Sequence, residues 1–228
     1  MDKQTANVVK LLVRFPVFAK LSHQEQDQLA RLAVRKSYQK GEYIAHSGYV
    51  WPYVIIIDYG EIHALKMSPT GRNFGTMKLQ AGEEFWSPSL FTGIPLPATL
   101  EVWKPSAIYF FHQEQVLPLV QKNTAALWQL SLGLAQRLHQ KSELIEEIAF
   151  SSVAGRLARL LLDQFEGGGD SLVGRDLSLD EMGAIIGTTP VMVCKQIYRF
   201  AENGLINVSR TEFQLTDQPG LEEIAGSS

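Results

Sequence analysis

Ser178-Leu179-Asp180-Glu181-Met182-Gly183-Ala184-Ile185-Ile186-Gly187, followed by Thr188-Thr189-Pro190-Val191-Met192-Val193, decides the fold. Ser178 and Glu181 have the spacing of a capping box, in which each side chain satisfies the other residue's backbone N–H. The helix they open ends at Gly187. Thr189 can cap a second helix, and Pro190 fits its first position because the missing N–H there would have no partner anyway. That helix runs to about Glu202, where Asn203-Gly204 ends it in the left-handed conformation. Leu205-Ile206-Asn207-Val208 and Glu212-Phe213-Gln214-Leu215 then read as two strands around Ser209-Arg210-Thr211. Helix, tight turn, helix and hairpin make a winged helix-turn-helix.

Upstream, residues 154–165 read as a helix and Gly167-Gly168-Gly169 as a loop. Before them Leu127, Ser131, Leu134, Leu138, Lys141, Ile145 and Ile148 recur at alternating spacings of four and three. This is an a/d seam interrupted by Ser131 and Lys141. It needs an apolar partner, either its own domain or, more simply, a second copy of the chain.

The first half has another grammar. Ser22-His23-Gln24-Glu25 is again a capping box. From Tyr38 onward, short apolar or alternating runs are cut by Gly41, Gly48, Gly60, Gly71, Gly75 and Gly82. Tyr53-Val54-Ile55-Ile56-Ile57 predicts a buried strand, Glu61-Ile62-His63-Ala64-Leu65 an alternating one, Pro69-Thr70-Gly71 a turn, and residues 107–111 a last strand. Many short strands at this spacing predict a barrel or sandwich.

Composition bounds the function. The chain has 228 residues, 45% hydrophobic and 20% charged, as a globular protein with a core has. No apolar run is long enough to cross a membrane, and Met1-Asp2-Lys3-Gln4-Thr5 has no secretory apolar stretch. The single cysteine, Cys194, forms no internal disulfide and no four-thiolate metal site, so a cytoplasmic protein is expected. Residues 151–228 carry six Lys+Arg against eleven Asp+Glu, so a DNA contact there has to come from local geometry. No P-loop, dinucleotide fingerprint or nucleophile elbow occurs. His46 and His63 are too far apart for a cupin-type metal site, which leaves an enzyme as the weaker alternative to a regulator. No cofactor or metal is expected.

Taken in order, several stretches resemble the Crp/Fnr family of bacterial transcription regulators. They are Phe15-Pro16-Val17-Phe18 with Leu21-Ser22, Lys40-Gly41-Glu42-Tyr43-Ile44, Gly48, the run from Tyr53 to Gly60, Gly71, and Gly82-Glu83-Glu84-Phe85. Leu134-Ala135-Gln136-Arg137-Leu138, Ala154-Gly155-Arg156-Leu157-Ala158 and residues 181–187 with Leu205-Ile206 complete the series. The resemblance implies an α+β chain: a jelly-roll-like β-roll effector domain of the cyclic-nucleotide-binding type (1–113), a long dimerisation helix (114–150) and a winged helix-turn-helix (151–228). It implies a homodimer on a two-fold operator in double-stranded DNA, with RNA polymerase as a partner.

In that fold the helix from Pro190 enters the major groove and presents Val191, Met192, Lys195 and Arg199. Lys195 and Val191 stand where the family commonly has a base-reading arginine and glutamate. Lysine can donate to guanine; valine can pack on a thymine methyl. Thr188 and Thr189 are phosphate contacts at the helix N-terminus, and Arg210 one on the wing. Leu127, Leu134, Leu138, Ile145 and Ile148 form the dimer seam.

Family members that bind cyclic AMP carry Gly-Glu before a short helix and Arg-Ser after it. Here Trp86-Ser87 and Pro97-Ala98 stand at those places. Both the ribose acceptor and the phosphate cation are missing, so an effector other than cyclic AMP is expected, or none if the aromatics simply fill the roll. The expected effector site comprises Phe85, Trp86, Ser87, Leu90 and Pro97, with Lys141 and Ser142 from the helix. Lys141 either snorkels out of the seam or clamps an anionic aromatic ligand. This departure, with Val191 and Lys195, is similar to the branch that senses halogenated phenols.

Overall fold

The computed structural model describes residues 3–69, 71, 73–168 and 172–226. Thr70 of the expected turn and Gly169 of the expected loop lie outside them. The chain divides into two compact units. One comprises residues up to Lys66 with Thr76–His139; the other comprises Met67–Gly75 and the chain from Gln140 onward.

The first unit opens with α1 (Lys3–Leu12), a 3-10 turn (Phe18–Lys20) and α2 (His23–Leu32). The capping box of α2 forms, with Ser22 N donating to Glu25 Oε2 at 2.8 Å and Glu25 N to Ser22 Oγ at 3.4 Å. Next come β1 (Val34–Tyr38), β2 (Tyr43–Ala45), β3 (Tyr53–Met67), β4 (Asn73–Gln80), β5 (Glu84–Trp86), α3 (Ser89–Thr92) and β6 (Thr99–His112). The sheet runs β1-β6-β3-β4, with β2 on β6 and β5 on β3. The two strands expected from residues 53–57 and 61–65 are one strand, kept continuous by register shifts between Ile57 and Ile62. Gly60 makes this turn of the sheet feasible. It has φ 98°, and a Cβ there would run into the Ser106 hydroxyl and the Pro105 carbonyl.

Strand alternation sorts this unit into two cores. Ile55, Ile57, Ile62, Leu79, Phe85, Leu96, Leu100 and Ile108 face the roll interior. Val54, Ile56, Trp86 and Phe111 face the helices, where Phe18, Leu29, Val116 and Leu130 meet them. The stretch 114–150, expected as one helix, is two: α4 (Gln113–Lys122) and α5 (Thr124–Phe150). Asn123 breaks them, accepting from Ala126 N at 3.0 Å and donating to Lys20 O at 2.7 Å.

The second unit contains the end of α5, then α6 (Val153–Gly168), β7 (Leu172–Gly174), α7 (Leu179–Ile186), α8 (Pro190–Glu202), β8 (Ile206–Val208), β9 (Glu212–Leu215) and α9 (Gln218–Gly226). Gly167 and Gly168, expected in a loop, end α6 instead. The Ser178 capping box forms, and Gly187 ends α7 at φ 71°. The wing is three-stranded, β7-β9-β8, because residues 172–174 join the expected hairpin. Leu157, Leu161, Met182, Ile197, Phe200, Phe213 and Leu221 fill one core beneath these elements. Arg156, almost fully buried, donates from Nε to Ile186 O at 2.7 Å and from Nη1 to Ser151 O, tying α6 to the end of α7.

Candidate functional site

The turn between α7 and α8 is tight for a local reason. Thr188 N donates to Gly183 O at 2.9 Å, and a Cβ on Gly183 would press on Thr188 O at 3.0 Å. Thr189 Oγ1 accepts from Met192 N at 3.3 Å, so its hydroxyl caps α8. Val193, Gln196, Ile197 and Phe200 turn α8 onto the core, and the opposite face is left to solvent. Val191 is 76% exposed, and Lys195 and Arg199 are exposed with it. Met192, expected on that face, is half-buried, since one residue is 100° of rotation away from Val191. Thr188 and Thr189 are also half-buried.

Arg210 is exposed at the tip of the wing. There Ser209 Oγ accepts from Thr211 N at 3.2 Å and Glu212 N at 2.9 Å. Arg175, not anticipated, braces the wing by donating to Ser209 O at 3.0 Å with its guanidinium over the Phe213 ring. Tyr198 was not anticipated either. It is 63% exposed on α8.

The expected effector residues of the first unit, Phe85, Trp86, Ser87, Leu90 and Pro97, do not face one pocket. Phe85 lies in the roll interior, while Trp86 points the other way and stacks on Phe18 with centroids 5.5 Å apart. Adjacent strand residues face opposite sides, so the two cannot line one wall. Leu90 joins Trp86 on the helix side, buried Ser87 accepts from Ser89 N at 3.1 Å, and Pro97 is exposed. Leu96 and Ala98 turn into the roll. Their loop is strapped to the 48–49 turn by Gly48 N to Leu96 O and Leu96 N to Tyr49 O, both 2.9 Å. Lys141 and Ser142 belong to the second unit.

Instead, β5 and α5 form a polar centre around Arg137. Its guanidinium donates to Glu84 O at 2.5 Å and Met77 Sδ at 3.1 Å, and lies 5.8 Å from the Phe85 ring centre. Two buried polar atoms on β5, Glu84 Oε2 and Trp86 Nε1, have no hydrogen-bond partner in the structure. Burial pushes the Glu84 carboxyl up to about 7, opposed by Trp86, whose indole N–H lies near without completing a hydrogen bond, and by the Arg137 charge. Burial also lowers the Arg137 pKa, opposed by Glu83 and Glu84. A cation one helical turn before Lys141 was the available signal for this centre.

The elements are now in place for comparison. A model of the Crp-like helix-turn-helix domain matches residues 155–224 and one of the cyclic nucleotide-binding domain matches residues 35–123, together well over half of the chain. The chain belongs to the Crp/Fnr family. It is a DNA-binding transcription regulator with a cyclic-nucleotide-binding-like domain. This Crp/Fnr protein is 22% identical to the cyclic AMP receptor protein of Thermus thermophilus over 92% of its length and 96% of the relative's. It is 25% identical to the cAMP-activated global transcriptional regulator Vfr of Pseudomonas aeruginosa, over 83% and 91%. Its fold matches a Crp/Fnr-family structure from Eubacterium rectale with a TM-score of 0.83 at 18% identity, covering 94% and 99% of the two chains. No helix among the described residues is long and apolar enough to cross a membrane.

Proposed function

We propose that this Crp/Fnr protein is a homodimeric, sequence-specific regulator, acting in the cytoplasm with RNA polymerase, whose roll domain answers to a small anionic effector other than cyclic AMP. The observation that carries the effector reading is the strapped loop. Where relatives that bind cyclic AMP place a cation and a hydroxyl, Pro97 and Ala98 stand, Leu96 and Ala98 fill the roll, and Trp86 is committed to Phe18. Arg137 offers the alternative anchor. It carries a positive charge, its short contacts are a carbonyl, a thioether and a ring, and the Glu83 and Glu84 carboxyls act on it only through their charge. An anion there gains a charge-assisted hydrogen bond. Lys141 remains a second candidate cation.

Dimerisation is supported by α5. Leu127 and Leu134 are each 37% exposed, Ile148 40%, Ile145 68% and Leu138 71%, an apolar seam no monomer would leave in water. The DNA contacts are assigned to Val191, Lys195, Arg199 and Arg210, with Thr188 and Thr189 at the α8 N-terminus.

Calorimetry with cyclic AMP, alongside a thermal-shift screen of aromatic carboxylates and phenols, tests the effector. No heat with cyclic AMP and a stabilising anion whose effect is lost in Arg137→Met are expected. Micromolar cyclic AMP binding overturns the reading. Leu134→Asp with Leu138→Asp is expected to sediment as a monomer that no longer binds a two-fold operator, whereas a dimeric double variant removes the seam assignment.

A further inference from the structure

On α8, Val191, Lys195 and Tyr198 are spaced i, i+4 and i+7, so they form one stripe. The stripe is exposed from end to end, with Tyr198 63% accessible. The core beneath α8 is closed by Val193, Ile197 and Phe200 without it. A large ring standing in water on the face that carries Lys195 contributes nothing visible to the fold. The surrounding charge is sparse: Lys195 and Arg199 are the only cations of α8, and the residues from 151 onward carry an acidic excess. Affinity from phosphate contacts is therefore limited, and apolar contact has to carry more of the recognition.

We propose that Tyr198 is a second sequence-reading residue, whose ring packs on the C5-methyl of a thymine in the major groove. It depends on α8 entering DNA as assigned. Thymine C5-methyl is the one apolar group the base edges present in that groove, and valine and tyrosine are both suited to it. A rise of about 1.5 Å per residue puts Tyr198 roughly 10 Å along α8 from Val191, about three base steps. A half-site would carry two separately read thymines, with Lys195 acting between them.

The test replaces each thymine of a selected operator, one at a time, with uracil, which deletes only the methyl. Full-length wild type, Val191→Ala, Tyr198→Ala and Tyr198→Phe are compared by fluorescence anisotropy. One uracil is expected to weaken wild type by about fivefold to tenfold, to cost Tyr198→Ala nothing further, and to differ from the position silenced by Val191→Ala. Tyr198→Phe should keep the wild-type profile. Uniform weakening of Tyr198→Ala on every probe, random DNA included, would show a backbone contact and overturn the proposal. So would wild-type affinity in Tyr198→Ala, or a Tyr198→Phe variant that behaves like Tyr198→Ala. If Tyr198→Ala loses nothing while Lys195→Ala loses operator preference, only the tyrosine role falls. If wild type enriches no sequence from a random pool, the DNA-binding assignment falls and Tyr198 with it.

Discussion

Two glutamates in the same β-roll are buried to opposite effect. Glu61, on β3, sits inside a closed network. Its Oε1 accepts from His63 Nε2 at 2.8 Å, Lys104 approaches Oε2 at 3.1 Å and Lys78 at 3.7 Å, and the His63 ring stacks on Trp103 at 3.6 Å. The hydrogen bond from His63, helped by the lysines, outweighs desolvation and lowers the Glu61 pKa to about 2. Glu84, on β5, is buried with one oxygen unpartnered, and desolvation wins there. A buried charge whose lone pairs are filled is part of the scaffold; one left open marks a place where something else can bind or where a proton must.

The largest expected effect is on the closed network. His63→Leu keeps the volume but leaves Glu61 Oε1 buried without a donor. Loss of the donor to a buried carboxylate costs up to about 3 kcal/mol. All four tryptophans, Trp51, Trp86, Trp103 and Trp128, lie in the first unit, so urea unfolding followed by tryptophan emission reads that unit. A loss below 1 kcal/mol at pH 7 would make the network ornamental.

The pH dependences of the two carboxyls have opposite signs. The folded pKa of Glu61 lies below the ordinary 4.5, so its contribution is fully present above pH 4.5 and disappears as pH falls toward 2. That of Glu84 lies above 4.5, so folding costs nothing extra below pH 4.5 and becomes harder as pH rises toward 7. Glu84→Gln, which holds the neutral form, is expected to stabilise the roll by about 2–3 kcal/mol at pH 8 and to change little at pH 4.5. Equal effects at both pH values would show that Glu84 does not titrate in this range.

This contrast also separates what could be read from the sequence from what could not. Both capping boxes, the Gly187 turn, the Thr189-Pro190 start of α8 and the helical period of α5 depend on residues a few positions apart, and all were legible. The length of β3 was hidden because shifts around Gly60 break the simple alternation. Glu61 and His63, two apart on a strand, gave no sign of a network because Lys78, Lys104 and Trp103 reach them only through β4 and β6. Phe85 and Trp86 were read as one wall because adjacency in sequence hid that strand neighbours part. Arg137 was passed over because only the folded chain sets α5 against β5. α9 carries no strong periodic signal in its nine residues.

The smallest expected effect concerns Arg137, and it is the most informative about the open centre. Its guanidinium pulls the Glu84 pKa down while burial pushes it up. Arg137→Met removes that pull, so the folded pKa of Glu84 should rise further and the pH range over which the roll loses stability should extend upward. The hydrogen bond to Glu84 O is lost as well, but burying a neutral thioether in place of a half-buried cation offsets much of that cost. At pH 5, where Glu84 is mostly protonated in both proteins, the net change is expected to stay within about 0.5 kcal/mol. At pH 8 the loss should grow to about 1 kcal/mol. Adding Glu84→Gln separates the causes: the growth of the Arg137→Met loss between pH 5 and pH 8 should then disappear, leaving only the pull of Glu83 on the Arg137 charge. A pH-dependent loss that survives in the double variant would place the coupling on another group and detach Arg137 from Glu84.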